Sequence, residues 1–321
     1  MSPLVPTARP ARLPPLVLLL FVAFLVVSML APAAATTAPV SVDPRVAPTL
    51  RQLKSLPGTT SLLVVENGKE IAVWRADTPL AVGSTFKIAI MIALRKQIEA
   101  GKRSWADVVR LEPLWKVPGG PLYDWPDGAH VTIETLAGFM ISKSDNTATD
   151  ALIHLVGREN IEPHTGRNRP LLSTRALFFA RNRTNDDLIA RWRRGGEAER
   201  RAVLAEIDRR PWPKTGWVDG PFAQDIEWYF TNRELCGLIA QVSDLPLMGI
   251  ETLKVDKDDW ARIAYKGGSE PGIVSMTYWT QAKDGRTYCA SASWNNAKKP
   301  VDNDKFMAAM GRLFKALRKK A

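Results

Sequence analysis

Histidine and cysteine are scarce in this chain. Only His130, His154 and His164 occur, and none belongs to a His-Glu-x-x-His or similar ligand cluster, which argues against a histidine-built metal centre. Two cysteines, Cys236 and Cys289, are too few for a cysteine-only zinc site. There is no internal repeat, and no nucleic-acid module pattern accompanies the basic stretches Arg191–Arg194 and Arg200-Arg201, which read as a solvated helix face or its loop. What remains is ordinary globular composition: 321 residues, 45% hydrophobic and 24% charged, enough for one or two domains and a large core, and unlike a disordered, collagen-like or disulfide-scaffold chain. Lys and Arg number 44 against 33 Asp and Glu, a balance of +11 that favours contact with anionic surfaces but says nothing of fold.

Arg9 and Arg12 precede an apolar run from Pro14 to Leu30, followed by Ala31-Pro32-Ala33-Ala34-Ala35. Charged start, apolar middle and small-residue end predict a secretory signal over residues 1–35. The alternative is an uncleaved membrane anchor, because the run is just short of spanning length. Either reading puts the rest of the chain, 36–321, in the periplasm or outside the cell. There, Cys236 and Cys289 can form a disulfide; two buried, unpaired thiols are the other possibility.

Apolar β-branched runs at Leu62–Glu66 and Ile71–Trp74 flank Asn67-Gly68, a hairpin signal because the turn needs positive φ. From Phe86 to about Gly249 the pattern is mainly helical. It includes an apolar helix ended by Gly101, a helix capped by Thr132 through Met140, another over Asn146–Val156 closed by Gly157, and a Thr231/Glu234 capping box opening a helix through Val242. Strand character returns at Arg262–Lys266, Ile273–Gln281 and Thr287–Ala292, with Asp284-Gly285 as a turn, and a basic amphipathic helix over Asp304–Lys319 ends the chain. The order predicts an α+β fold: one five-stranded antiparallel sheet built from both chain ends (about 45–83 and 250–321), flanked by helices, with an all-helical lobe (about 84–249) inserted. A cleft between lobes is a natural ligand site.

Three short motifs could carry chemistry. Gly83-Ser84-Thr85-Phe86-Lys87 sets a serine three residues before a lysine at a helix start, so the amine can reach the hydroxyl and free N–H groups stand ready for an oxyanion. Ser144-Asp145-Asn146 lies between two helices and reads equally well as an N-cap turn. Tyr265-Lys266-Gly267-Gly268-Ser269 reads as a strand end running into a glycine turn. Each is unremarkable alone; their order and placement are not.

Together the three motifs resemble those of the penicillin-recognising serine enzymes, class A-type β-lactamases and penicillin-binding proteins, over roughly Thr60 to Leu317. Leu122-Tyr123-Asp124-Trp125-Pro126-Asp127-Gly128, Met140 to Thr149, and Leu171-Leu172-Ser173-Thr174-Arg175 are similar to a cephalosporin esterase-like subgroup. The resemblance implies a β-lactamase/transpeptidase-like fold. It makes Ser84 the acylated nucleophile, Lys87 its general base or proton relay, and Ser144 the group that passes a proton to the leaving group. Asn146 and Lys266 would bind substrate, Gly268 would sit beside it, and the N–H groups of Ser84 and Ser269 would form the oxyanion hole. Lys266 would supply the cation that lowers the Lys87 pKa and attracts a substrate carboxylate. It implies a small acyl substrate (β-lactam, ester or cell-wall peptide), no cofactor, no nucleic acid, no membrane contact beyond an uncleaved leader, and a monomer. A Ser-His-Asp enzyme of the α/β-hydrolase type is disfavoured, since no Gly-x-Ser-x-Gly occurs.

Two departures stand out. Gly267 replaces the hydroxyl residue usual between the lysine and the glycine of the third motif, leaving Ser269 or Arg286 to take over carboxylate recognition. The loop after Val156 is short and lacks the Glu-x-x-Leu-Asn pattern that supplies a deacylating glutamate in class A enzymes; Glu159, Glu162 and His164 are the nearby substitutes. Acylation is then expected to outrun hydrolysis of the acyl-enzyme. Trp115, Tyr123 and Trp125 are expected either to line the cleft or to pack within the lobe. The competing function is a non-catalytic or D,D-peptidase-like peptidoglycan-associated protein on the same scaffold.

Overall fold

Asn67 and Gly68 both take positive φ, 49° and 78°, and reverse the chain between two antiparallel strands. This turn opens the sheet of a computed structural model that describes residues 42–319. The expected leader and its cleavage motif lie outside those residues. The elements run α1 (Ala47–Lys54), β1 (Thr59–Glu66), β2 (Lys69–Trp74), β3 (Leu80–Ala81), a 3-10 turn at Gly83–Phe86, α2 (Lys87–Glu99), β4 (Val108–Arg110), β5 (His130–Thr132), α3 (Ile133–Ser142) and α4 (Asn146–Val156). They continue with α5 (Arg158–Ile161), α6 (Thr174–Ala180), α7 (Asp186–Arg194), α8 (Glu197–Ile207), β6 (Tyr229–Phe230), α9 (Asn232–Ala240), β7 (Arg262–Glu270), β8 (Ile273–Gln281), β9 (Thr287–Asn295) and α10 (Asn303–Leu317).

Five strands form one antiparallel sheet in the order β2-β1-β9-β8-β7, joining both chain ends, with β7 at its edge. Alternation along the strands gives the sheet two apolar faces. One buries Val64, Tyr278 and Ala290 beneath Leu53 of α1 and Phe306, Leu313 and Phe314 of α10. The other packs against α2, α3, α4 and α9. The first eight residues of α2, Lys87 to Leu94, are all buried, as befits a helix apolar on every side. Under α9 the sheet is polar instead: Asn232 accepts from Ser291 Oγ (3.1 Å) and Ser293 Oγ (3.0 Å) and donates to Ser61 Oγ (2.9 Å), so the buried hydroxyls are satisfied. Cys236 of α9 and Cys289 of β9 are disulfide-bonded, with Cα atoms 5.8 Å apart, which settles the choice left open by the sequence.

The caps expected at Thr132 and Thr231 are present, the latter with both arms of its capping box. Two local expectations are revised. The glycines after Lys266 do not end the strand; β7 runs on to Glu270, because β8 pairs with it throughout, Gly267 opposite Met276 and Gly268 opposite Ser275. The helical stretch is also interrupted, by β4, β5 and β6 and by irregular chain between α8 and β6. The arginine-rich segment forms α7 and α8, whose arginines pair with Glu199, Glu206, Asp225 and Glu197 across or along the helices.

Candidate active site

Ser84 sits in the 3-10 turn and Lys87 is the first residue of α2. In a 3-10 turn residues i and i+3 eclipse, so the two side chains share a face more closely than α-helical spacing implies. Stacking of Phe86 on Trp228, with ring centroids 3.8 Å apart and planes 8° from parallel, anchors the turn to the core. Gly83 adopts φ 50°, and a methyl group there would lie 3.2 Å from Ser269 N. A methyl group on Gly268 would fall 2.2 Å from Val82 O and 2.3 Å from Ser84 N. Only glycine lets the edge strand lie directly against the peptide of Ser84. The backbone N–H groups of Ser84 and Ser269 therefore come from touching segments, at the edge of a sheet where alternate groups lack a strand partner.

From the opposite side, α3 and α4 meet at Ser144, which holds φ 54°, a strained value for a non-glycine residue. Asp145 fixes this turn. It is fully buried, caps α4 through Ala148 N (2.7 Å) and accepts from Leu122 N (2.8 Å). Asn146 donates to Pro118 O (2.7 Å) and accepts from Lys87 Nζ (2.9 Å). Lys87 Nζ also donates to Ser144 O (2.6 Å) and reaches Ser144 Oγ at 3.3 Å, while Lys266 Nζ reaches the same Oγ at 3.0 Å and donates to Gly267 O at 2.6 Å. Ser144 Oγ thus bridges two amines, each almost wholly buried.

Burial pushes the Lys87 amine down to about 7, against the pull of Asp150, Asp145 and Glu270. Burial and then the Lys87 charge push Lys266 well below the ordinary lysine range. The sequence reading expects burial and the nearby Lys266 cation to lower the Lys87 pKa together. Burial is the first cause for both amines, and the pair disfavours carrying two charges. Asp150, fully buried on α4, accepts from Thr174 N, Thr174 Oγ1 (both 2.7 Å) and Arg175 N (2.9 Å), tying the start of α6 beneath the site.

A cavity of about 450 Å³ opens over these groups, lined by Ser84, Ser144, Asn146, Lys266, Ser269 and Glu270, with Tyr265 and Gly267 beside them. The motif residues thus converge. Gly267 is explained as well: a methyl group there would lie 2.0 Å from Tyr265 Oη. The Tyr265 phenol fills the room that a hydroxyl side chain at 267 would need. Burial holds this phenol's pKa above its usual range, so it stays a donor.

The auxiliary candidates fare differently. Arg286 is at the other end of the sheet, in the β8–β9 turn, paired with Asp284 and Glu66 and bonded to Tyr288 and to the carbonyls of Arg318 and Lys319. It takes no part in the cavity. Glu162 is buried, paired with Arg201 (2.7 Å) and accepting from Leu171 N, and those partners outweigh burial and hold its pKa below the carboxylate norm. It is a brace for the short loop, not a base. Glu159 is exposed, and His164 lies beside Lys96 Nζ (3.3 Å). Trp115 packs near His154, whereas Tyr123 and Trp125 are partly exposed; none of the three lines the cavity.

Sequence reasoning missed a second cluster. Glu227, fully buried, pairs with Arg181 Nη2 at 2.6 Å, and Glu270 Oε2 lies 3.8 Å from Arg181 Nε. Burial, opposed by Arg181 and reinforced by Glu270, pushes Glu227 up to about 7. Period-two alternation alone places Glu270 on the face of Lys266 and Gly268; no spacing in the sequence links it to Arg181 or Glu227.

The profile of the β-lactamase enzyme family matches residues 46–168, a span holding the Ser84 and Ser144 motifs but not β7. Among solved structures, a β-lactamase from Sphaerobacter thermophilus is similar at TM-score 0.59 and 22% identity, over 85% of this chain and 95% of that one. A β-lactamase from Chitinophaga pinensis is similar at TM-score 0.58 and 16% identity, over 86% and 98%. A protein described as PBP-A is similar at 0.57 and 16%, over 88% and 99%. No curated protein matches the chain.

Proposed function

We propose that the chain is a β-lactamase-like serine hydrolase of the penicillin-recognising superfamily and that it works through a Ser84 acyl-enzyme on β-lactam, ester or related acyl donors. The observation that carries this reading is the single hydroxyl of Ser144 bonded to both buried amines in the cavity that Ser84 lines. In the proposed cycle neutral Lys87 removes the Ser84 Oγ proton as the oxygen attacks the acyl carbon. The N–H groups of Ser84 and Ser269 receive the charge that develops on the acyl oxygen, each worth on the order of 3 kcal/mol. Ser144 hands a proton to the leaving group and is recharged from the lysines on either side. Asn146, its amide oriented by Pro118 O and Lys87, keeps an N–H for a substrate carbonyl. A substrate carboxylate is met by Lys266 and by the Tyr265 hydroxyl, which stands where the family has a side-chain hydroxyl.

Release is the slow step for β-lactams in this reading, because Glu162 of the loop after α4 is committed to Arg201 and Glu159 does not line the cavity. We also place the protein outside the cytoplasm. The Arg9–Leu30 pattern supports this, and so does the Cys236–Cys289 disulfide, a bond that persists in oxidising compartments. The kinetic test is stopped-flow mixing with a chromogenic cephalosporin. A stoichiometric burst followed by a slow steady state is expected; rapid turnover without a burst contradicts slow release.

A further inference from the structure

Hydrolysis of the proposed acyl-enzyme needs a base, and one carboxylate does reach the cavity, from the sheet edge and not from a loop. Lys266, Gly268 and Glu270 alternate onto the same face of β7, the face turned to α2. Gly268 touches the Ser84 peptide. Its neighbours on that face stand about 7 Å to either side of it along the strand. Lys266 reaches Ser144 Oγ at 3.0 Å, and Glu270 lies on the other side of Gly268 along the strand. Glu270 lines the same cavity as Ser84, and its charge is felt at the Lys87 amine.

We propose that Glu270 is the carboxylate that activates water against the Ser84 acyl-enzyme, with Arg181 and Glu227 positioning it. Arg181 is committed to Glu227 at 2.6 Å and lies farther from Glu270, at 3.8 Å. Arg181 Nε makes no hydrogen bond among the described residues. Glu227 is enclosed, bonded to Trp228 N, and absent from the cavity lining. The inner carboxylate thus takes up the guanidinium, and the outer one keeps an oxygen for water. The charged groups facing Glu270 are Arg181 at the end of α6, Glu227 ahead of β6 and Lys87 of α2. Burial raises the Glu270 pKa, while Arg181 and Lys87 draw it back. The cations offset burial only in part, so the carboxylate is a stronger base than an exposed one.

The step balances as ester hydrolysis. Glu270 takes a proton from water as the water oxygen bonds to the acyl carbon. The tetrahedral centre collapses, the bond between acyl carbon and Ser84 Oγ breaks, and the proton returns to Oγ. The products are the free acid and Ser84 hydroxyl.

This inference rests on the Ser84 reading, and one experiment separates the two. The full mature chain and its Glu270→Gln variant are acylated with benzylpenicillin and, separately, p-nitrophenyl acetate; adduct growth and decay are followed by intact mass between pH 5 and 9. The expected result is adduct formation within about threefold of wild type in Glu270→Gln, decay slowed by at least about 10²-fold, and loss of the acid-side fall in the decay rate. Glu270→Asp keeps the charge but withdraws it by a methylene; its decay is expected to slow by about tenfold and to keep that acid limb. Decay in Glu270→Gln within threefold of wild type, or with the acid limb intact, overturns the role of Glu270 alone. Absence of any adduct on the wild-type protein overturns both readings.

Discussion

Two buried charge clusters flank the point where Gly268 meets Ser84, and they are built on opposite principles. On one side Lys87 and Lys266 crowd two amines around one serine hydroxyl, with no carboxylate bonded to either among the described residues. On the other, Arg181 and Glu227 form a tight ion pair, with Glu270 at its rim. The first cluster leaves a base unprotonated near neutral pH; the second neutralises most of its own charge and exposes one acid to the cavity. In the proposed cycle the unprotonated amine serves formation of the ester and the carboxylate serves its hydrolysis. Gly268 separates Lys266 from Glu270 along the strand, and the Glu270 charge still reaches the Lys87 amine.

The comparison can be broken most severely at its hinge. Gly268→Ala drives a methyl group into Val82 O and Ser84 N, both backbone atoms that cannot step aside. Acylation is expected to fall by about 10³-fold with folding retained, since loss of one oxyanion donor alone costs about 10²–10³-fold; circular dichroism and single-turnover labelling check this. Lys87→Met removes the base and should slow acylation by about 10²–10⁴-fold, leaving the acidic cluster undisturbed. The wild-type acylation rate should itself fall as pH drops through about 7, because the protonated Lys87 amine cannot accept from Ser84.

The acidic cluster should respond in stability first. Arg181→Ala strands Glu227 buried and unpaired, a loss of about 3–5 kcal/mol in urea unfolding. Reducing the disulfide or changing both Cys236 and Cys289 to serine should cost about 2–4 kcal/mol while the acylation rate holds, since the bond joins α9 to β9 and not to the cavity. The smallest effect belongs to Tyr265→Phe. It is expected to weaken acylation by a carboxylate-bearing β-lactam several-fold and leave a neutral ester unchanged, on the order of 1 kcal/mol.

The cationic cluster was legible in the sequence; the acidic one was not. Ser84, Lys87, Ser144 and Lys266 were legible together, by the order and placement of three motifs that are each unremarkable alone. The sheet was readable because β1, β2 and β8 hold apolar, β-branched runs and because Asn67-Gly68 and Asp284-Gly285 are strong turn signals, the second of them setting β9 beside β8. The path of β7 beyond Lys266 was misread because glycine has no strand preference of its own; pairing with β8 decides it. Arg181, Glu227 and Glu270 come from three separated segments, and only the fold brings them together. Tyr265 was hidden for a related reason: the room a side chain at 267 would need is filled by one two residues earlier on the same strand face. Arg286 looked available only because its partners Glu66 and Tyr288 could not be located from spacing.

The central claim is that Ser84 carries the acyl group, and peptide mapping by mass spectrometry after brief exposure to benzylpenicillin tests it directly. The account predicts one adduct, confined to the peptide containing Ser84 and missing from Ser84→Ala. An adduct on another residue, or an equal adduct on Ser84→Ala, would contradict it.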